Sequence, residues 1–73
     1  MVTSGLTGLR LSGREAEILQ LVWDGLVTKE IADRLEISCH TVDHHRRSMI
    51  RKLGARNSVH LIRLALNHQL LRL

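Results

Sequence analysis

The chain has 73 residues, enough for one small domain, and carries 11 Lys and Arg against 7 Asp and Glu, a formal net charge of +4. It has no proline, a single aromatic (Trp23) and few β-branched residues, which argues against a sheet or a base-stacking platform and leaves an all-helical chain. One cysteine excludes an internal disulfide, and the absence of a membrane-length apolar run or a signal-peptide pattern points to the cytoplasm.

Residues 1–8 mix Gly5, Gly8, Ser4, Thr3 and Thr7 and read as a flexible lead-in or linker remnant, with the domain expected over residues 9–73. Ser12-Gly13-Arg14-Glu15 has the spacing of a capping box, in which the Ser hydroxyl meets the N3 amide and the Glu carboxylate reaches back. A first helix over 13–24 would turn Ile18, Leu19, Val22 and Trp23 inward, expose Arg14, Glu17 and Gln20, and stop at Gly25. Thr28 is the expected cap of a short second helix over 29–35, with Ile31, Ala32 and Leu35 at core spacing.

Only Glu36 and Ile37 separate that helix from Ser38, a good N-cap for a third helix over 39–53 that Gly54 would end. A link this short forces the two helices to meet at a sharp angle, a helix-turn-helix with Ile37 filling the corner. On the third helix Val42, Met49 and Leu53 form the apolar stripe, with His45 and Ile50 on its shoulders. The far side gathers His40, Asp43, His44, Arg47, Ser48 and Arg51, flanked by Arg46 and Lys52. At about 1.5 Å per residue the helix is roughly 24 Å long, so only its first two or three turns would reach base edges in a groove.

Charge is unevenly placed. Residues 38–53 hold Arg46, Arg47, Arg51 and Lys52 against Asp43 alone, whereas Glu15, Glu17, Asp24, Glu30, Asp33 and Glu36 come earlier. Asn57 can cap a fourth helix over 58–68, with Leu61, Ile62 and Ala65 on one side. Val59, Leu66 and Leu70 share a neighbouring face with Arg63, and residues 70–73 make an apolar end, more greasy surface than one core needs. The whole is expected to be a compact four-helix domain, all-α, that contains a helix-turn-helix and self-associates through the fourth helix.

The order of Arg14-Glu15, Ile18-Leu19, Gly25-Leu26, Lys29-Glu30-Ile31-Ala32, Leu35, Ile37-Ser38, Thr41-Val42, His45 and Arg51-Lys52-Leu53-Gly54-Ala55-Arg56-Asn57 closely resembles the DNA-binding domain of the LuxR/FixJ/NarL family of bacterial transcription regulators. The likeness covers about residues 9–69. It implies a third helix in the major groove of double-stranded DNA and a fourth that makes a two-fold dimer on an inverted repeat. Carried over by position, base contacts fall on Asp43, His44 and Arg47, and phosphate contacts on Thr28 or Lys29, Thr41, Arg46, Arg51 and Lys52. The dimer interface falls on Val59, Arg63, Leu66 and Leu70. In such proteins this domain is joined to a receiver or ligand-sensing domain, so the chain reads either as a stand-alone regulator or as an output half without its sensory domain.

Four positions depart from the family pattern: Gly13 where proline is common, Glu36 where glycine is common, Trp23 in place of a small residue, and Asp43 where lysine is usual. If Glu36 has φ > 0, strain of about 1 kcal/mol follows. Asp43 either accepts from cytosine N4 or orients Arg47 four residues on, or it turns aside and helps cap its helix.

His40, His44 and Cys39 lie close together, but a structural zinc needs four ligands and no further residue is spaced to complete the set. No metal or cofactor is expected. Cys39 reads as a small, partly buried side chain at the helix start, and His45 as a packing or hydrogen-bonding residue. No nucleophile, base and acid are arranged for catalysis, and Ser12, Ser38 and Ser58 are cap or near-cap positions. The alternative to DNA binding is a helix-turn-helix that docks an acidic protein partner on its basic face.

Overall fold

The computed structural model describes residues 11–71 as four helices, α1 (Gly13–Trp23), α2 (Thr28–Leu35), α3 (Cys39–Leu53) and α4 (Ser58–Asn67), with no strand among the described residues. The lead-in over 1–8, Leu9 and the final Arg72 and Leu73 lie outside them. The start of α1 is the capping box expected: Glu15 N–H donates to Ser12 Oγ at 3.1 Å, and Ser12 N–H to Glu15 Oε1 at 2.9 Å. At α3, Thr41 N–H donates to Ser38 Oγ at 3.0 Å, and at α4, His60 N–H donates to Asn57 Oδ1 at 2.9 Å.

The second helix corrects the sequence reading. Its N-cap is Val27, extended at φ −86° and ψ 166°, so Thr28 is already the first helical residue and does not cap. Valine offers no acceptor, and the half of the box that exists is Glu30, whose Oε1 accepts from Val27 N–H at 2.9 Å. Helix α1 ends one residue earlier than expected, α2 begins one earlier and α4 ends one earlier, shifts typical of frayed ends.

All four helices end in the same way. Leu26, Ile37, Ala55 and Leu70 each donate their N–H to the carbonyl five residues back (Leu21, Ala32, Ile50 and Ala65, at 2.8–3.0 Å), and the residue before each donates three back. This is the Schellman arrangement, which satisfies otherwise orphaned carbonyls and needs a left-handed residue one place before the donor. Gly25 (φ 99°), Glu36 (φ 59°), Gly54 (φ 70°) and Gln69 (φ 59°) fill that place. The donor itself is apolar every time, and each packs against the core. The stop signals therefore also pull each connecting segment inward.

The core is a single cluster in which Ile18, Leu19, Ile31, Val42, Met49 and Ala65 are wholly buried, joined by Ala32, Leu53, Leu61 and Leu71. Val22, Trp23, Leu35, Ile37, Ile50 and Ile62, all read as core or corner residues, are partly buried and pack on it. Helix α3 packs against each of the other three, so its orientation is set from several directions at once. Leu71 corrects one expectation: it is core, folded back beyond α4, so the apolar end is in part ordinary packing.

Candidate nucleic-acid interface

Helix α3 is the longest element and buries only one stripe, Val42, Met49 and Leu53. At 100° per residue His40, His44, Arg47 and Arg51 fall within an arc of about 60° on the side away from that stripe. All four are exposed. Asp43 borders the arc and is half-buried, and it is the only acidic residue of the helix. The result is a line of two guanidinium groups and two imidazoles, a shape and charge suited to a groove lined with phosphates.

Among the described residues Asp43 makes no ion pair and no hydrogen bond, with Arg47 or with the backbone of its own helix. The cap of α3 is made by Ser38, and the first turn contains no acid, so Asp43 makes no capping hydrogen bond and its place is one turn further on. His45 is half-buried, its ring edge-on to that of His44 with centroids 5.9 Å apart, consistent with packing. Cys39 is exposed, not partly buried as expected, because the first helical position faces outward.

The flanking cations differ in their freedom. Arg51 and Lys29 are exposed, and Thr28 is half-buried at the start of α2. Thr41 Oγ1 lies 2.9 Å from Ser38 Oγ, so its hydroxyl belongs to the cap network. Arg46 is half-buried, its Nε enclosed without a hydrogen-bond partner, with the stem lying on protein as long basic side chains do. On α4, Val59 (76 % exposed) and Arg63 face outward, while Leu66, and Leu70 just beyond the helix, are partly buried against the core.

Lys52 and Ser48 are placed differently from the others. The Lys52 ammonium is 2.7 Å from Glu15 Oε1, and Ser48 Oγ donates to Glu15 Oε2 at 2.9 Å. Ser48 is thus half-buried against α1 and not part of the outward line, a correction that follows from its position on the flank of the helix wheel. Glu15 is 4 % exposed. Its burial works to raise the carboxyl pKa, but the hydrogen bonds from Lys52, Ser12 N–H and Ser48 and the charge of Lys52 outweigh it and hold the group at about 2. Sequence reasoning found Glu15 only as a capping residue. Its partners lie 33 and 37 positions away, and only their i, i+4 spacing on α3 hinted at a shared partner.

A second local bond was also missed: Arg56 N–H donates to His60 Nδ1 at 3.0 Å and tightens the entry to α4. Among the described residues no group of three or more His, Cys, Asp or Glu side chains is placed to hold a metal. A groove of about 590 Å³ between α1, α2 and Leu70 is lined by Ala16, Glu17, Gln20, Leu21, Asp24 and Arg34 among others, with no nucleophile–base pair. No helix of the described residues is long and apolar enough to cross a membrane.

Four helices around one core, a tight turn between the second and third, and a basic line along the third define a helix-turn-helix domain of the kind that binds DNA. Residues 9–65 match the family described as bacterial regulatory proteins, luxR family, and the chain belongs to that family. It is a DNA-binding domain of transcription regulation and not a catalytic one. Among its relatives, the uncharacterized response regulatory protein YgeK of Escherichia coli (strain K12) is 46 % identical over 57 residues, covering 78 % of this chain and 39 % of that protein. The C4-dicarboxylate transport transcriptional regulatory protein DctR of Rhodobacter capsulatus is 48 % identical over 50 residues, 68 % of this chain and 25 % of that protein. The oxygen regulatory protein NreC of Staphylococcus aureus (strain JH9) is 43 % identical over 61 residues, 84 % of this chain and 28 % of that protein. The chain thus spans between a quarter and two fifths of the length of these relatives.

Proposed function

We propose that α3 enters the major groove of double-stranded DNA and reads sequence through Asp43, His44 and Arg47. The observation that carries this is the exposed line His40, His44, Arg47 and Arg51 set opposite the buried stripe of the same helix. Arg47 pairs bidentately with guanine O6 and N7, and Asp43, which has no partner within the protein among the described residues, accepts from cytosine N4. Thr28, Lys29, Thr41, Arg46 and Arg51 contact phosphates and fix register. With Ser38 as donor in the pair Ser38–Thr41, the Thr41 hydrogen is left to reach a phosphate oxygen.

Two copies pair through α4, with Val59 and Arg63 at the surface and Leu66 and Leu70 behind them, and bind an inverted repeat in the cytoplasm. Such a small interface is stable only on DNA. YgeK is named as a response regulatory protein, and it and NreC are longer than the matched stretch, so a receiver or sensory domain joined to this one is the proposed source of control.

Titration of affinity with salt tests the reading. Log affinity should fall linearly with log salt, by about 0.9 for each phosphate neutralised. Arg47→Ala should alter the preferred sequence, whereas Arg51→Ala should weaken all sites alike and flatten the slope by about one contact. Weak salt dependence, with Arg47→Ala silent, would instead fit docking of an acidic protein.

A further inference from the structure

Packing against three helices sets the direction of α3, but the buried stripe of Val42, Met49 and Leu53 makes non-directional contacts, which specify small rotations about the helix axis less sharply than hydrogen bonds do. Rotation matters for reading. A turn of about 10° moves an atom about 6 Å from the axis by about 1 Å, enough to spoil a bidentate pair with a base. Something directional is needed to set the phase of the helix.

Glu15 supplies it. Its carboxylate is fixed at the head of α1 by Ser12 N–H at 2.9 Å, and both of its oxygens receive donors from α3: Lys52 Nζ at 2.7 Å and Ser48 Oγ at 2.9 Å. Ser48 and Lys52 stand one turn apart on the same flank, and Ser48 follows Arg47 directly. We infer that Glu15, Ser48 and Lys52 form a positioning clamp that sets the rotation of α3, so that Lys52 acts on DNA recognition through Glu15 and not by holding a phosphate. This rests on the proposed reading of α3 as the base-contacting helix. The Glu15 end of this pair is buried while the Lys52 side chain is 38 % exposed, and a charge paired at one buried end serves to fix a single geometry as well as to stabilise.

The test measures, for the wild type, Glu15→Gln, Lys52→Met and the double variant, affinity for the preferred duplex, affinity for a scrambled duplex, and the salt slope. Partial unfolding lowers both affinities by the same factor, so their ratio is insensitive to a purely structural defect. The clamp predicts that each single variant lowers that ratio about tenfold, that the double variant is no worse than the poorer single, and that the salt slope stays near the wild-type value. A phosphate-binding Lys52 predicts the reverse: an unchanged ratio and a slope reduced by about 0.9 for Lys52→Met, with Glu15→Gln strengthening binding by releasing the ammonium. An unchanged ratio and slope, with lower affinity throughout, would make the trio a matter of stability alone and overturn the inference. If the wild type shows no sequence preference, the proposed function itself fails, and this is read from the wild type before any variant is compared.

Discussion

Glu36 ends α2 with φ 59° and ψ 44°, a left-handed conformation that places its Cβ near the following carbonyl. The turn requires it, because only that conformation lets Ile37 N–H reach the Ala32 carbonyl at 3.0 Å and carry Ile37 into the corner. The side chain is exposed and makes no hydrogen bond or ion pair among the described residues, so removing it forfeits no contact. Glycine would relieve about 1–2 kcal/mol of steric cost and give back about 0.5–1 kcal/mol to the entropy of the unfolded chain. The expected net gain for Glu36→Gly is about 0.5–1 kcal/mol, or a rise in Tm of roughly 3–6 °C for a domain of this size. Glu36→Ala is the control, since it removes the same side chain but keeps the Cβ. Unfolding in urea followed by circular dichroism should rank Glu36→Gly above Glu36→Ala by about 1 kcal/mol at unchanged m-value. Equal stabilities of the two variants would refute the assignment of strain to this turn.

Gly54 occupies the equivalent place at the end of α3, with φ 70° and open space where a Cβ would point, so Gly54→Ala should cost about 1 kcal/mol through backbone conformation alone, checked by the same urea titration. The Glu15 carboxyl, held at about 2 against an ordinary 4.5, contributes stability that is complete above about pH 4.5 and is lost as pH falls through 2. That contribution is up to about 3 kcal/mol, and Glu15→Gln should abolish the corresponding slope of stability against pH in that window. For Asp43, replacement by Ala should change the base preferred at one position of the site. If Asp43→Ala or Asp43→Lys raises affinity with no change in preference, Asp43 is a repulsive bystander and not a reader.

Most of the architecture was legible because the local signals agree with one another. Ser12, Ser38 and Asn57 cap as their chemistry dictates, Gly25 and Gly54 stop helices, and the apolar spacing finds Ile18, Leu19, Ile31, Val42, Met49 and Leu61. The failures share a cause. Glu36 and Gln69 take left-handed positions that carry no glycine to mark them, although the resemblance flagged the first. Thr28 looked like a cap because its side chain could serve, but the chain turns helical one residue earlier, where Glu30 reaches back to Val27. The trio of buried Glu15, half-buried Ser48 and exposed Lys52 was invisible to spacing, since each member has a sufficient local explanation as a cap residue or an exposed helix side. Only the packing of α1 against α3 brings them together. The basic line of α3 was read correctly as an outward face, except that Ser48 and Asp43, both half-buried, belong to its flanks.

The central claim is that this domain reads a defined DNA sequence as a pair. Enrichment of a randomised duplex library by the purified 73-residue chain at near-physiological salt tests it most directly. The expected result is recovery of an inverted repeat whose half-site carries a guanine opposite Arg47. Uniform, weak and salt-sensitive retention with no enriched sequence would contradict it.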